Sequence, residues 1–90
     1  MEDLIDKTRF HCRKPITHNI AEQLSTMPLL KVIQFHEFKP DEITFKILND
    51  VVFKNRKDIT LRVYGYSNIW GDISFLKFLP ELERFDWDII

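Results

Sequence analysis

Ninety residues allow one domain at most, and an apolar content of 44% excludes wholesale disorder. Thirteen basic against fourteen acidic residues give a net charge of −1, so no overall field draws the chain to nucleic acid or to a membrane. A single cysteine excludes an internal disulfide framework, and two glycines argue against a Gly-rich phosphate cradle.

Residues 1–8 are mixed and charged and are expected to form a flexible start, ahead of a single domain over 9–90. They lack the positively charged start and apolar run of a secretory signal, and no later run approaches the ~18–20 apolar residues that span a bilayer. The expected location is cytoplasmic. A strand is predicted near 9–13, where Phe10 and Cys12 alternate with Arg9, His11 and Arg13. A helix follows near 17–27. Thr17 or Asn19 caps it, Asn19 and Glu22 resemble a capping box, and Ile16, Ile20, Ala21, Leu24 and Met27 form its apolar face before Pro28 ends it.

The second strand, 31–36, turns Ile33 and Phe35 one way and Val32, Gln34 and His36 the other. Pro40, Asp41 and Glu42 open a helix over 41–55 with the stripe Ile43, Ile47, Leu48, Val51 and Val52. Lys54, Arg56 and Lys57 sit at its negative end, where basic side chains satisfy a helix C-terminus. A third strand is predicted over 58–64, a loop over Gly65–Gly71, a short helix or 3₁₀ turn over 72–79 capped by Asp72, and a last strand over 84–89.

The order is β-α-β-α-β-α-β. Leu24, Met27, Pro28, Leu30, Ile33 and Phe35 recur 52 residues on as Leu76, Leu79, Pro80, Leu82, Phe85 and Trp87, and half that offset lands on Ile59 and Leu61. The expected inward pairs are thus Phe10/Cys12, Ile33/Phe35, Ile59/Leu61 and Phe85/Trp87, in steps of 23, 26 and 26 residues. A near-constant step of this size is the mark of stacked repeat units.

On these residues the chain resembles the leucine-rich repeat family over roughly 9–90. The resemblance implies an α/β solenoid, with parallel strands and helices on the convex side, whose strands line a protein-binding surface. The family's usual asparagine after the strand falls near Phe38, Tyr64 and Ile90, none of which is Asn, and Arg56 stands where Leu30 and Leu82 stand. The repeats are therefore read as degenerate, with turns held in another way. The alternative is a small open α/β domain.

Several residues invite chemistry. His11, His18 and His36 raise a metal hypothesis, but cations are expected beside His36, and structural zinc takes four closely arranged ligands. Cys12 lies on the inward face, where a cysteine behaves as a small hydrophobe and not as a nucleophile. Asp86 and Asp88 share a face from which Trp87 points away, unlike a glycosidase carboxylate pair with its aromatic platform. Tyr66 and Trp70 are either binding aromatics or a cover for the short third helix.

The expected function is a non-enzymatic protein-interaction module, with no cofactor, no metal and a protein partner. Its face carries His11, Arg13, Gln34, His36, Thr60, Arg62, Tyr64, Asp86 and Asp88, grading from basic to acidic across the strands. The alternative is a small enzyme or ligand-binding domain with a site beyond the strand C-terminal ends, at 37–40, 65–71 and the chain end. The apolar strand at 84–89 further implies either additional repeats after it or self-association through residues 76–90.

Overall fold

The computed structural model describes residues 4–6, 8–36 and 38–90. Its centre is a five-stranded sheet in the sequential order β1 (Leu4–Asp6), β2 (Arg9–Cys12), β3 (Val32–His36), β4 (Thr60–Gly65) and β5 (Arg84–Ile89). β2 to β5 run parallel, and β1 lies antiparallel against β2. Residues 4–6, inside the expected flexible start, form this first strand; residues 1–3 and 7 lie outside the described residues.

Parallel neighbours need a crossover, and each crossover here is helical. The first is α1 (His18–Ser25), where Thr17, not Asn19, is the N-cap and accepts from the Ile20 N–H at 3.2 Å. The second begins as α2 (Glu42–Ile47), capped by Asp41 through the Thr44 N–H at 2.9 Å, and continues as a π-helix over Leu48–Phe53. The third holds one turn, α3 (Ser67–Trp70), inside the predicted loop, then a 3₁₀ segment over Ile73–Phe78 capped by Asp72. Gly71, at φ +69°, supplies the left-handed residue between the two.

α1 packs on the π-helix, and α2 packs on the 3₁₀ segment. Their apolar sides meet one face of the sheet in a single core. Phe10, Cys12, Ile33, Phe35, Leu61 and Val63 come from the strands, and Ala21, Leu24, Phe45, Leu48, Val52 and Phe53 from the crossovers. Toward β5 the core turns aromatic: Phe75 stacks on Phe45 with centroids 5.0 Å apart and lies 5.4 Å from Trp70 and 6.1 Å from Trp87. The opposite face of the sheet carries no helix among the described residues.

Two expectations need correction. The inward pair on β4 is Leu61/Val63, not Ile59/Leu61, because Ile33 pairs with Leu61 and Leu61 with Phe85. The steps are therefore 23, 28 and 24 residues, with no constant period. Ile59 is still buried, but it sits before the strand, which starts at Thr60.

The predicted helical stripe holds for Leu48 and Val52, and in part for Ile47 and Val51, but its start is shifted. Ile43 is 66% exposed, while Thr44, Phe45, Leu48, Asn49, Val52 and Phe53 are buried. Burial here recurs every four residues. An α-helix of 3.6 residues per turn would carry such a stripe around its surface. The wider π turn, seen in the Lys54 N–H bond to the Asn49 carbonyl at 3.0 Å, brings it back toward the core.

The turns entering the strands are tied side by side. Arg56, 16% exposed at its side chain, donates to the carbonyls of Ser25 (3.3 Å), Met27 (2.7 Å) and Leu30 (2.9 Å). Its Nε and Nη2 also grip both oxygens of Asp58 at 3.0 Å, and Lys31 reaches the same carboxylate at 2.8 Å. One turn further, Lys57 holds the Glu81 carboxylate at 2.7 Å, and Asn49 Oδ1 accepts the Glu81 N–H at 2.8 Å. The basic cluster at 54–57 was expected to satisfy its own helix end. Only Asn55 does so, through the Val51 carbonyl at 3.0 Å, while Arg56 and Lys57 tie neighbouring units together.

Candidate functional site

The parallel register arranges the uncovered face in rows. The first row is Arg9, Val32, Thr60 and Arg84; the second is His11, Gln34, Arg62 and Asp86; the third is His36, Tyr64 and Asp88. Arg13 lies one residue beyond β2 and is exposed. The face residues expected from sequence alternation thus gather on one surface.

Their neighbours differ from expectation, because β4 is shifted by two residues. His36 lies beside Tyr64, ring centroids 4.7 Å apart, and not beside Arg62. Arg62 lies between Gln34 and Asp86. It was expected to be exposed. Its side chain is 31% exposed, reaching Asp88 at 3.1 Å and Asp86 at 3.6 Å. One guanidinium against two carboxylates leaves that side of the face acidic. Asp58, inside the predicted strand 58–64, belongs instead to the turn before β4, where Arg56 and Lys31 hold its carboxyl well below the usual range.

Gln34 sits at the centre of the face. It is 5% exposed, although it points away from the core, and its Oε1 has no hydrogen-bond partner. The Arg62 Nε, in the next strand, is buried without a hydrogen bond as well, with the Asp86 carboxylate 3.6 Å away. Buried polar atoms are nearly always paired, because an unmade bond costs roughly 1–3 kcal/mol. The two atoms belong to residues paired directly across β3 and β4, so they lie side by side at the centre of the uncovered face.

No family profile, characterised protein or solved structure matches the chain. Its chemistry is thus read from its own residues. Cys12 is buried and its Sγ donates to the Lys14 carbonyl at 2.8 Å. His11 and His36 fall in different rows, and no group of three or more His, Cys, Asp or Glu converges among the described residues. No helix among them is long and apolar enough to cross a membrane.

Beyond the strand C-terminal ends, Trp70 is fully buried and its carbonyl accepts from Lys39 at 3.1 Å, while Tyr66 is about half exposed. Trp70 therefore fills the space between strand ends and third crossover, as the covering reading expected. Residue 37, part of the alternative site, lies outside the described residues.

Sequence reasoning missed Arg56 as an organiser. The signal was present: a cation at a position otherwise held by Leu30 and Leu82 must find polar partners once it is drawn inward. It missed the open Gln34 atom because alternation assigns a face but not the height of neighbouring side chains.

Proposed function

We propose that this chain is a non-enzymatic protein-interaction module of degenerate leucine-rich-repeat type, with the open sheet face as its binding surface. The observation that carries the reading is Gln34, buried on a face that no helix covers, with its Oε1 unpaired. Three features support a solenoid-like architecture: sequential parallel strands, helical crossovers packed on one another, and turns tied laterally by Arg56 and Lys57. An extended protein segment fits such a face. Its N–H or side-chain donor would meet Gln34 Oε1 once that side chain turns outward, and basic groups would lie along Asp86 and Asp88. A buried cysteine and no disulfide suit a reducing cytoplasm.

Site-directed photo-cross-linking tests this reading. A photoreactive phenylalanine replacing Tyr64 should capture one defined protein, while the same group at Gln23, on exposed α1, should not. Gln34→Leu should then weaken binding of that purified protein roughly fivefold to tenfold, the worth of one well-made hydrogen bond. Equal labelling from both positions, or unchanged affinity in the Gln34 variant, would overturn it.

A further inference from the structure

β5 forms one edge of the sheet, and no described strand pairs with its outer side. Ile90, just after it, donates to the Gly65 carbonyl at 3.0 Å and accepts from the Ser67 N–H at 3.2 Å. In a strand, a residue's N–H and C=O point the same way, and the direction alternates along the chain. Arg84, Asp86 and Asp88 therefore turn their backbone groups toward β4. Phe85, Trp87 and Ile89 present theirs outward. The same three side chains are only half-buried, whereas Ile33, Phe35, Leu61 and Val63 are fully buried. A strand edge of this kind is a template for another strand.

The charges on β5 select the occupant. We infer that β5 pairs antiparallel with β5 of a second copy of this chain, about a twofold axis at Asp86. Antiparallel pairing places opposite residues on the same face. Phe85 then faces the partner's Trp87, and Trp87 the partner's Phe85. Both carry outward backbone groups, so both pairs are hydrogen-bonded. Arg84 faces the partner's Asp88, and Asp88 the partner's Arg84, at the non-hydrogen-bonded positions, where Cα atoms approach to ~4.5 Å and side chains are closest.

Arg84 is exposed and makes no ion pair among the described residues. The twofold makes each attraction occur twice. The single like-charge contact is Asp86 against its counterpart, each with its own Arg62 Nε at 3.6 Å. Moving the axis one residue to Trp87 would instead set Asp86 against Asp88 twice, and moving it to Phe85 would set Arg84 against Asp86, which Arg62 already neutralises, while facing Trp87 with Glu83 and Asp88 with Leu82. The pairing concerns the sheet edge and stands whether or not the open face binds a partner protein.

Sedimentation velocity of the chain over a concentration series tests this, with Arg84→Asp, Asp88→Arg and Asp86→Asn variants. Wild type should show a reversible monomer–dimer equilibrium. Arg84→Asp and Asp88→Arg each place like charges at both symmetric contacts and should weaken the dimer roughly tenfold. Mixing the two variants restores an opposite-charge pair at both contacts, so the mixture should dimerise at least as well as wild type. Asp86→Asn removes the central repulsion and should tighten the dimer. Arg84→Asp and Asp86→Asn serve as the decisive pair if Asp88→Arg, which also loses Arg62, fails to fold. A monomer at every concentration, or a dimer indifferent to Arg84→Asp and Asp86→Asn, would overturn the inference.

Discussion

Arg56 shows how one side chain does the work usually divided among several. Its guanidinium offers five donors in a fixed plane, and three backbone carbonyls and one carboxylate lie around it. Replacing it with methionine keeps much of the volume but strands those acceptors, so Arg56→Met should cost about 1.5–3 kcal/mol in a denaturant melt. Lysine should not rescue it, since a point charge cannot span the same acceptors. The pH dependence follows from the carboxylates. The hydrogen bond from Arg56, then that from Lys31, holds the Asp58 pKa below its ordinary value, and Lys57 does the same for Glu81. A carboxylate depressed in the folded state contributes stability above its unfolded pKa of ~4 and loses it as pH falls through the folded value. Thermal midpoints should therefore drop as pH falls below about 4. Asp58→Asn should already be less stable at neutral pH and lose less on acidification. Equal acid sensitivity in the two proteins would mean that the ion cluster does not govern it.

At the level of elements, alternation in the strands was legible and the start of the long helix's stripe was not. Phe10/Cys12 and Ile33/Phe35 could be assigned inward because a period of two leaves only two choices. In residues 42–53 apolar side chains occur nearly all round, and the apolar pattern alone selects Ile43, Ile47, Leu48, Val51 and Val52. The chain selects Phe45, Leu48, Val52 and Phe53 by changing its helical pitch part-way. The two phases predict opposite outcomes for the same pair of substitutions. Ile43→Lys should change stability by no more than about 0.5 kcal/mol, as exposed positions do. Phe45→Ala should cost roughly 3–5 kcal/mol, since it empties a site between Phe35 and Phe75. The third strand failed for a related reason. Ile59, Leu61 and Val63 all fit the inward period, and only the length of the preceding crossover decides which two align with Ile33 and Phe35. That length depends on the π turn and on the Arg56–Asp58 contact, neither of which has a signature in local hydrophobicity.

For the molecule as a whole, order grows toward the middle of the sheet. Leu61 is fully buried between Ile33 on one strand and Phe85 on the other, so Leu61→Ala should cost roughly 2–5 kcal/mol. β5 has a neighbour on one side only, and its backbone should divide residue by residue. Asp86, Asp88 and Ile90 direct their N–H groups at β4, as the Ile90 bond to Gly65 fixes. Phe85, Trp87 and Ile89 direct theirs outward. Amide hydrogen exchange reads each group separately, because an N–H bonded inside the sheet exchanges only when the structure opens. In dilute solution, protection along β5 should alternate: slow at 86, 88 and 90, fast at 85, 87 and 89. Raising the protein concentration should slow Phe85 and Trp87 selectively, since their outward groups form the hydrogen-bonded pairs of the twofold strand contact. Arg84→Asp should return both to the fast class while leaving Asp86 and Asp88 slow. Uniform protection along β5 at every dilution, or slowing of all its amides together, would show that concentration stabilises the fold in general and does not pair this edge.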